Sequence, residues 1–510
     1  MTLRDLGYAI TTGLLLGLLF PPFTFAALAW LAIFPLLWAL DEKTPQEGLI
    51  LGFVSGLIGY GIIIWWVVET MVNYGGISSL LAWLLAFTLA AYIALYVGAF
   101  SCLLVWIAPK GRYARMFMAP VIWVALEITR AYFLSGFPWA LLGYSQYKVL
   151  PVIQIADLAG VYSVSFFIVL INAMFWHFFR YPGRSPYGVV GGGVLVVGLV
   201  VGYGIFRILG VPDEMKMPRP VGIVQPNTLP SQKWVPDRRE AIVGDLELQT
   251  QELAQEFKGR GLLVPPLIVW PESALPLVYS ESPAWKKRME KMSRHAKSYV
   301  LIGSLSSRRG KGPQKLYNSA FLLGPDGAHE GRYDKVHLVP FGEYVPLGSL
   351  LFFVKKLVPV IGRFAEGRKT RLFDVPGGRF GVLICFEIIF PRVVRRMKNA
   401  RFLVNITNDA WFGHTPASEQ HLSMAAMRAV EFRVPIVRSA NTGISAIVDA
   451  TGAIRMRSPL FEKWRMAGEI SPRKEGPTFY ARTGDAFAIT CLLITLAVVG
   501  LTMLRPRSGV

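Results

Sequence analysis

The strongest constraint on this chain is a series of long apolar stretches. Seven precede residue 210, running Tyr8 to Phe20, Phe25 to Leu40, Gly48 to Val72, Ser79 to Ala108, Met116 to Leu134, Leu150 to Phe179 and Tyr187 to Leu209. An eighth runs from Ala486 to Leu504. A straight helix needs roughly 20 apolar residues to cross a bilayer, a length the first two stretches do not reach. The first could instead be a cleaved signal, with Arg4 before it and small residues after Pro21-Pro22. The six hydrophobic segments that follow make a multi-span protein, which needs no cleavable signal. With 53% hydrophobic and 17% charged residues among 510, part of the chain must lie in lipid. The expectation is a bundle of eight transmembrane helices, seven in residues 1–210 and the eighth in residues 481–510.

Loop charges give an independent reading, because cytoplasmic loops collect Lys and Arg. With the N-terminus inside, the inner segments carry Arg4, Lys43, then Lys110, Arg112 and Arg115, then Arg180 and Arg184, and finally Arg505 and Arg507. The opposite loops, Pro21 to Thr24 and Asn73 to Ser78, carry none, and the third has only Lys148. Both termini are therefore expected in the cytoplasm and residues 211–480 outside, in the periplasm of a Gram-negative bacterium.

That outer segment alternates short β-branched runs with amphipathic helical stretches, an α/β rhythm. The strands expected are Val221 to Gln225, Leu267 to Trp270, Val300 to Ser304, Ala320 to Leu323, Arg379 to Ile384, Phe402 to Ile406 and Ser445 to Val448. The helices expected are Arg239 to Lys258, Ala284 to Ser298 and Ala417 to Arg433. From Val211 to Tyr480 there are 40 Lys and Arg against 25 Asp and Glu, so the surface attracts anions, lipid head groups included. No nucleic-acid-binding motif accompanies the charge, and a nucleic-acid partner is not expected. The six histidines form no HExxH arrangement or compact cluster, which speaks against metal catalysis. Cys102, Cys385 and Cys491 are too far apart to suggest a disulfide framework or a zinc site.

Cys102 and Cys491 sit among leucines and valines, where cysteine serves as a small hydrophobe. Cys385 ends the run Phe380-Gly381-Val382-Leu383-Ile384, which reads as a strand delivering its last residue to a turn, a common way to present a nucleophile. Taken alone it could equally be a buried structural thiol. Trp270-Pro271-Glu272-Ser273 ends a second expected strand. The stretch Tyr333 to Pro346, which holds Lys335, Glu343 and Tyr344, is polar without helical periodicity. Either alone could be a solvated loop. Glu, Lys and Cys in this order are far more specific.

From Val221 to about Ile470 the chain resembles the nitrilase, or carbon–nitrogen hydrolase, superfamily. More narrowly, the whole chain resembles the apolipoprotein N-acyltransferases. The residues that carry this are Val224-Gln225-Pro226-Asn227, Trp270-Pro271-Glu272, Lys335 to Pro346, Cys385-Phe386-Glu387, Asn405 to Gly413, Gln420-His421 and Met427-Arg428-Ala429. Gly136-Phe137-Pro138-Trp139 and Gly143-Tyr144 add to them in the apolar part. Phe386 stands where these acyltransferases usually carry Tyr, and Arg433-Val434-Pro435 replaces a Gly-Arg-Pro-like run.

The resemblance implies an αββα nitrilase-like sandwich beside the bundle and a Glu272, Lys335, Cys385 triad that works without a cofactor. Glu272 would be the general base, Lys335 the cation beside the thiol, and both would favour the thiolate. The acyl donor would be a glycerophospholipid and the acceptor the N-terminal amine of a diacylglyceryl-cysteine apolipoprotein. Glu343 and Glu387 would orient Lys335 and the thiol. Phe386 would keep an aromatic wall, and Trp234, Tyr344 and Trp411 are candidates for substrate contact. The same triad also suits a membrane-tethered amidase acting on a small amide, while a transporter or scaffold reading leaves the triad unexplained.

Two further features belong to the membrane reading. Residues 347–360, with Lys355 and Lys356, are too broken to span yet very apolar for a loop, and read as a lid dipping into the outer leaflet or as a buried helix. Glu127, Arg130 and Asp157 are ionisable at membrane depth, where unpaired charge is costly, and Arg130 could pair with Glu127 on one helical face.

Overall fold

The computed structural model describes residues 1–108, 112–182, 186–210, 218–308, 314–340, 342–344 and 364–504. The apolar 347–360 segment with Lys355 and Lys356 lies outside the described residues, as do Lys110, Arg184, Val211, Val345-Pro346, Arg505 and Arg507. Two compact units form, one of Met1–Glu69, Ser78–Gly210 and Thr478–Val510, the other of Thr70–Ile77 and Val211–Pro477.

In the first unit, six helices among the described residues are long and apolar enough to cross a membrane, rather than the eight expected. They are Pro45–Ile64, Ser79–Ile107, Tyr113–Ser135, Val161–Arg180, Tyr187–Leu209 and Ala486–Leu504. The difference is one of backbone, not composition. The first apolar stretch folds as a 16-residue helix, Leu3–Leu18, opened by a capping box between Thr2 and Asp5. At 1.5 Å per residue it reaches only about 24 Å, against a hydrocarbon core of about 30 Å. The second is split into a 3-10 turn, Ala26–Trp30, and a six-residue helix, Phe34–Ala39. Close helix approach rests on small residues: a methyl on Gly52 would lie 2.4 Å from the Val97 carbonyl.

The membrane-depth charges find partners other than those expected. Glu127 accepts from Trp123 Nε1 at 3.0 Å and from the Leu142 N–H at 2.8 Å. No direct Glu127–Arg130 ion pair forms. Instead, Arg130 lies over the Tyr60 ring at 5.0 Å and donates to the Ala140 carbonyl. The indole and the amide both bind Glu127 Oε1, while a carbonyl and an aromatic face take the guanidinium. Asp157 pairs with Arg207 at 3.0 Å and accepts from the Tyr203 hydroxyl.

Among the described residues, the second unit has thirteen strands. They are β1 (Arg219–Gln225), β2 (Leu267–Val269), β3 (Leu275–Val278), β4 (Tyr299–Arg308), β5 (Lys315–Leu323), β6 (His329–Asp334), β7 (Leu372–Val375), β8 (Gly378–Ile384), β9 (Phe402–Thr407), β10 (Ile436–Ala440), β11 (Ala446–Val448), β12 (Ile454–Arg457) and β13 (Trp464–Ile470). One sheet runs β13-β1-β2-β4-β5-β6 with β3 on β4, and the other β12-β11-β10-β9-β8-β7. Each has a parallel centre, β1-β2-β4 and β8-β9-β10, with antiparallel strands outside it apart from β3, which pairs parallel with β4.

Alternation along these strands makes two apolar layers. Val221, Ile223, Leu267, Val269 and Leu301 of the first sheet meet Phe380, Val382, Phe402, Val404 and Val437 of the second in one buried core. The intervening residues Val224, Ile268, Val300 and Ile302 face outward and pack on Val243, Leu246, Leu253 and Met289 of the helices Arg239–Lys258 and Pro283–Ala296. The helix Ala417–Phe432, buried along nearly its whole length, lies against β10 and β11. Helix, sheet, sheet, helix is the sandwich expected. Its parallel strands end in the turns that carry the candidate site.

Candidate active site

Cys385 follows β8 and opens a 3-10 turn, Cys385–Ile389. Its φ of +53° is left-handed, a conformation that costs a side-chain-bearing residue of order 1–3 kcal/mol and persists only where its surroundings impose it. The side chain of Asn405 on β9 donates to the Leu383 carbonyl at 3.2 Å and the Cys385 carbonyl at 3.4 Å. Below it, Thr407 contacts the sulfur and also donates to Asp409 Oδ1 at 2.8 Å. Asp409 in turn binds Arg438 at 2.6 Å and His421 at 3.1 Å, all without solvent exposure. Burial opposes the Asp409 charge, but Arg438 and His421 outweigh it and hold the carboxyl well below the usual range.

Glu272 stands three residues after β2, in a turn whose next residue, Ser273, has φ +48°. Gly303 of β4 runs directly beneath: a methyl there would sit 2.1 Å from the Pro271 carbonyl oxygen. Lys335 is the first residue past β6, its N–H bonded to the Asn318 carbonyl at 2.9 Å and its carbonyl to the Gly367 N–H at 2.7 Å. Its ammonium is 3.6 Å from Glu272 and 2.9 Å from Glu343. Asn318 Nδ2 ties the same two carboxylates together, at 2.6 and 3.2 Å. Glu343 is fixed from behind by the Val339 N–H at 2.8 Å.

Burial alone would discharge Lys335, yet Glu343 and Glu272 hold its proton more firmly than in a free lysine. The Cys385 thiol behaves the opposite way to expectation. Burial, then Glu272, push its ionisation above that of an ordinary cysteine, and Lys335 only partly opposes them. Burial and the Glu272 charge thus favour the neutral thiol, and Lys335, shared between two carboxylates, offsets them only in part.

Glu387 makes no hydrogen bond or ion pair with Lys335 and acts on it only through its charge. It accepts from the Tyr333 hydroxyl at 2.9 Å on both oxygens, from the N–H groups of Val336 at 2.7 Å and His337 at 3.0 Å, and from that of Ile384 at 2.8 Å. Burial pushes its carboxyl up to about 7 against the pull of the Ile384 N–H and Lys335. By these bonds it ties the backbone before Cys385 to the backbone after Lys335. Phe386 packs on the inter-sheet core and edge-on to Phe390, ring centres 5.3 Å apart.

The candidate substrate residues are less enclosed. Trp234 is 48% exposed at the end of a short helix, Pro230–Lys233. Trp411, in the 3-10 turn Asp409–Phe412, accepts from the Thr70 hydroxyl at 2.9 Å and meets the Tyr74 ring edge-on. Tyr344 forms an isolated bridge with Pro340. Sequence reasoning passed over Asn318, Thr407, Asp409, Arg438 and Lys233 as participants. The signal for Asn318 was a lone amide in a strand otherwise buried, 4% exposed.

The model of the apolipoprotein N-acyltransferase N-terminal domain matches residues 12–174, and that of the carbon–nitrogen hydrolases matches residues 245–473. An apolipoprotein N-acyltransferase of Geobacter metallireducens is 41% identical over 98% of this chain and 96% of its own. The chain belongs to the apolipoprotein N-acyltransferase family. Acyltransferases of that name from Methylococcus capsulatus, 31% identical over 98% of this chain and 96% of theirs, and Haemophilus ducreyi, 30% identical over 94% and 93%, are also similar. A carbon–nitrogen hydrolase structure from Helicobacter pylori aligns with TM-score 0.38 and 16% identity over 57% of this chain and 96% of its own. In this member of the apolipoprotein N-acyltransferase family, Glu272, Lys335 and Glu343 converge, and the Cys385 thiol feels the charges of Glu272 and Lys335.

Proposed function

We propose that this chain moves a fatty acyl group from a glycerophospholipid, through a thioester on Cys385, to the N-terminal amine of a diacylglyceryl-cysteine apolipoprotein. The observation that carries this reading is a buried ammonium shared by two carboxylates and acting electrostatically on a buried thiol at a strand end, in a chain with six membrane-length helices among the described residues. In the first step Glu272 takes the thiol proton as the sulfur attacks the ester carbonyl. The oxyanion is received by Lys335 and a main-chain N–H at the start of the 3-10 turn, each worth about 3–4 kcal/mol when well placed. The carbon–oxygen ester bond then breaks, Glu272 gives its proton to the lysophospholipid oxygen, and the acyl group stays on sulfur. In the second step the neutral amine attacks the thioester, Glu272 takes the nitrogen proton, and the amide leaves as the thiol is restored. The cycle is ping-pong.

Glu343 orients Lys335, and Glu387 orients the backbone at both Lys335 and Cys385. Trp234, Tyr344 and Trp411 line the way for the acyl donor and the acceptor peptide. The protein resides in the bacterial inner membrane with both termini cytoplasmic and residues 211–480 in the periplasm. The apolar segments within 3–40 add two shorter crossings to the six long ones, for eight in all. Full-length enzyme exposed to a defined phosphatidylethanolamine gains one acyl mass on the Cys385 peptide, discharged by a diacylglyceryl peptide with a free amine. Cys385→Ala gains none, and Cys385→Ser keeps at most about one-hundredth of the rate. An unmodified Cys385 peptide from turning-over enzyme, or full activity in either variant, overturns the reading.

A further inference from the structure

Lys233 is 3% exposed and none of the chemistry above uses it. It ends the short helix Pro230–Lys233, one residue before Trp234. Its Nζ donates at 3.1 Å to the main-chain carbonyl of Glu272, the residue read as the proton carrier. Burial pulls its ionisation down to about 8, and the charge of Glu272 is what resists that pull. A cation kept in such a place is costly unless an opposite charge and a hydrogen bond compensate it, and Glu272 supplies both.

The turn that carries Glu272 needs such a hold. Trp270 is still tied to β4 through its N–H and the Leu301 carbonyl at 2.9 Å, but Pro271 has no N–H to offer. Pro271 accepts only a long bond from Ala274 at 3.3 Å, and Ser273 is left-handed. Lys233 therefore grips the peptide of Glu272 itself, at the point where the ladder has ended. On the far side of the residue the carboxylate must meet Asn318 at 2.6 Å and Lys335 at 3.6 Å, and Lys335 lies nearer to Glu343. A small rotation of the Glu272 peptide would carry the carboxylate away from the thiol, and misplacement of about 1 Å costs of order 10²-fold in rate.

We propose that Lys233 is a positioning residue for acyl transfer, holding the main-chain carbonyl of Glu272 so that its carboxylate stays in place to move the Cys385 proton. This rests on the reading of Glu272 as proton carrier given above. The test uses the full chain with phosphatidylethanolamine, following the Cys385 thioester by intact mass over a range of phospholipid concentrations. Lys233→Met slows thioester formation at saturating phospholipid at least about 20-fold, with half-saturation within about twofold of the parent and an unchanged melting temperature. Lys233→Arg, which keeps the charge and the donor, retains about one-third of the parent rate or more. A Lys233→Met enzyme acylated within twofold of the parent rate overturns the inference, as does Lys233→Arg falling to the Lys233→Met level. If Lys233→Met does not fold, Lys233→Arg alone decides: about one-third of the parent rate or more supports the inference, and anything lower overturns it. Absence of a thioester on the parent enzyme instead removes the functional reading, and the role of Lys233 with it.

Discussion

At Cys385 two demands conflict. The sulfur must be nucleophilic, yet burial and Glu272 favour its protonated form, and Lys335 is engaged elsewhere. Below its pKa the thiolate fraction of a cysteine rises about tenfold per pH unit, and an ordinary one is half-ionised near pH 8.5 and levels off about a unit above it. Alkylation of Cys385 by iodoacetamide is therefore expected to keep climbing up to about pH 10.5; a plateau by about pH 9.5 would contradict the raised ionisation. Glu387 faces three main-chain N–H groups and one hydroxyl, and an amide nitrogen placed among them could accept from none of the N–H groups. Glu387→Gln should cost about 2–4 kcal/mol in chemical denaturation, because donors lose their partner in a dry site, and should slow acylation at least about tenfold. A variant as stable as the parent would sink this account. The three proposed triad residues stood out in the sequence through their order along the chain and the resemblance it carries, since each segment alone reads as a loop or a buried thiol. Asn318 and Lys233 did not, since one amide in a serine-bearing strand and one lysine in a Pro-Ser-Gln-Lys turn look like ordinary surface chemistry.

Among elements, the expected strands were those with continuous β-branched runs, and all seven recur within a residue or two at most ends. The strands that escaped notice are β3, β6, β7, β10, β12 and β13. Of these, β6 and β12 lie at sheet edges with polar, partly exposed residues, and β10 carries Arg438 and Ser439 within the fold. A buried arginine in a strand is invisible to pattern reading, because its partner Asp409 lies 29 residues away. Six of the eight expected spans recur as long helices among the described residues, and the two short ones are where apolar composition runs on through turns that break the helix. The β2 and β4 pairing makes a sharper claim. A side chain at Gly303 collides with Pro271 O at 2.1 Å and Glu272 Cα at 2.9 Å, both backbone atoms. Gly303→Ala is expected to shift the Glu272 turn, lowering kcat at least about tenfold with phospholipid KM little changed and costing about 1–3 kcal/mol of stability. Parent-like turnover in this variant would show that the turn tolerates displacement.

For the whole molecule, the asymmetry of Lys and Arg among the loops is the basis of the proposed orientation. In a variant without Cys102 and Cys491, Lys148→Cys should react with a membrane-impermeant maleimide in intact spheroplasts, whereas Lys43→Cys should react only after permeabilisation. The reverse pattern would invert the topology. The sheet-bearing unit also has an origin that its main segment hides. Thr70–Ile77, eight residues from the first third of the chain, group with it, and there the Thr70 hydroxyl and the Tyr74 ring hold Trp411. Gene truncation at residue 211 would thus sever one workpiece rather than separate two: the truncated protein would begin life missing the clasp on its own Trp411, and restoring that clasp would require the early octapeptide to be supplied in trans.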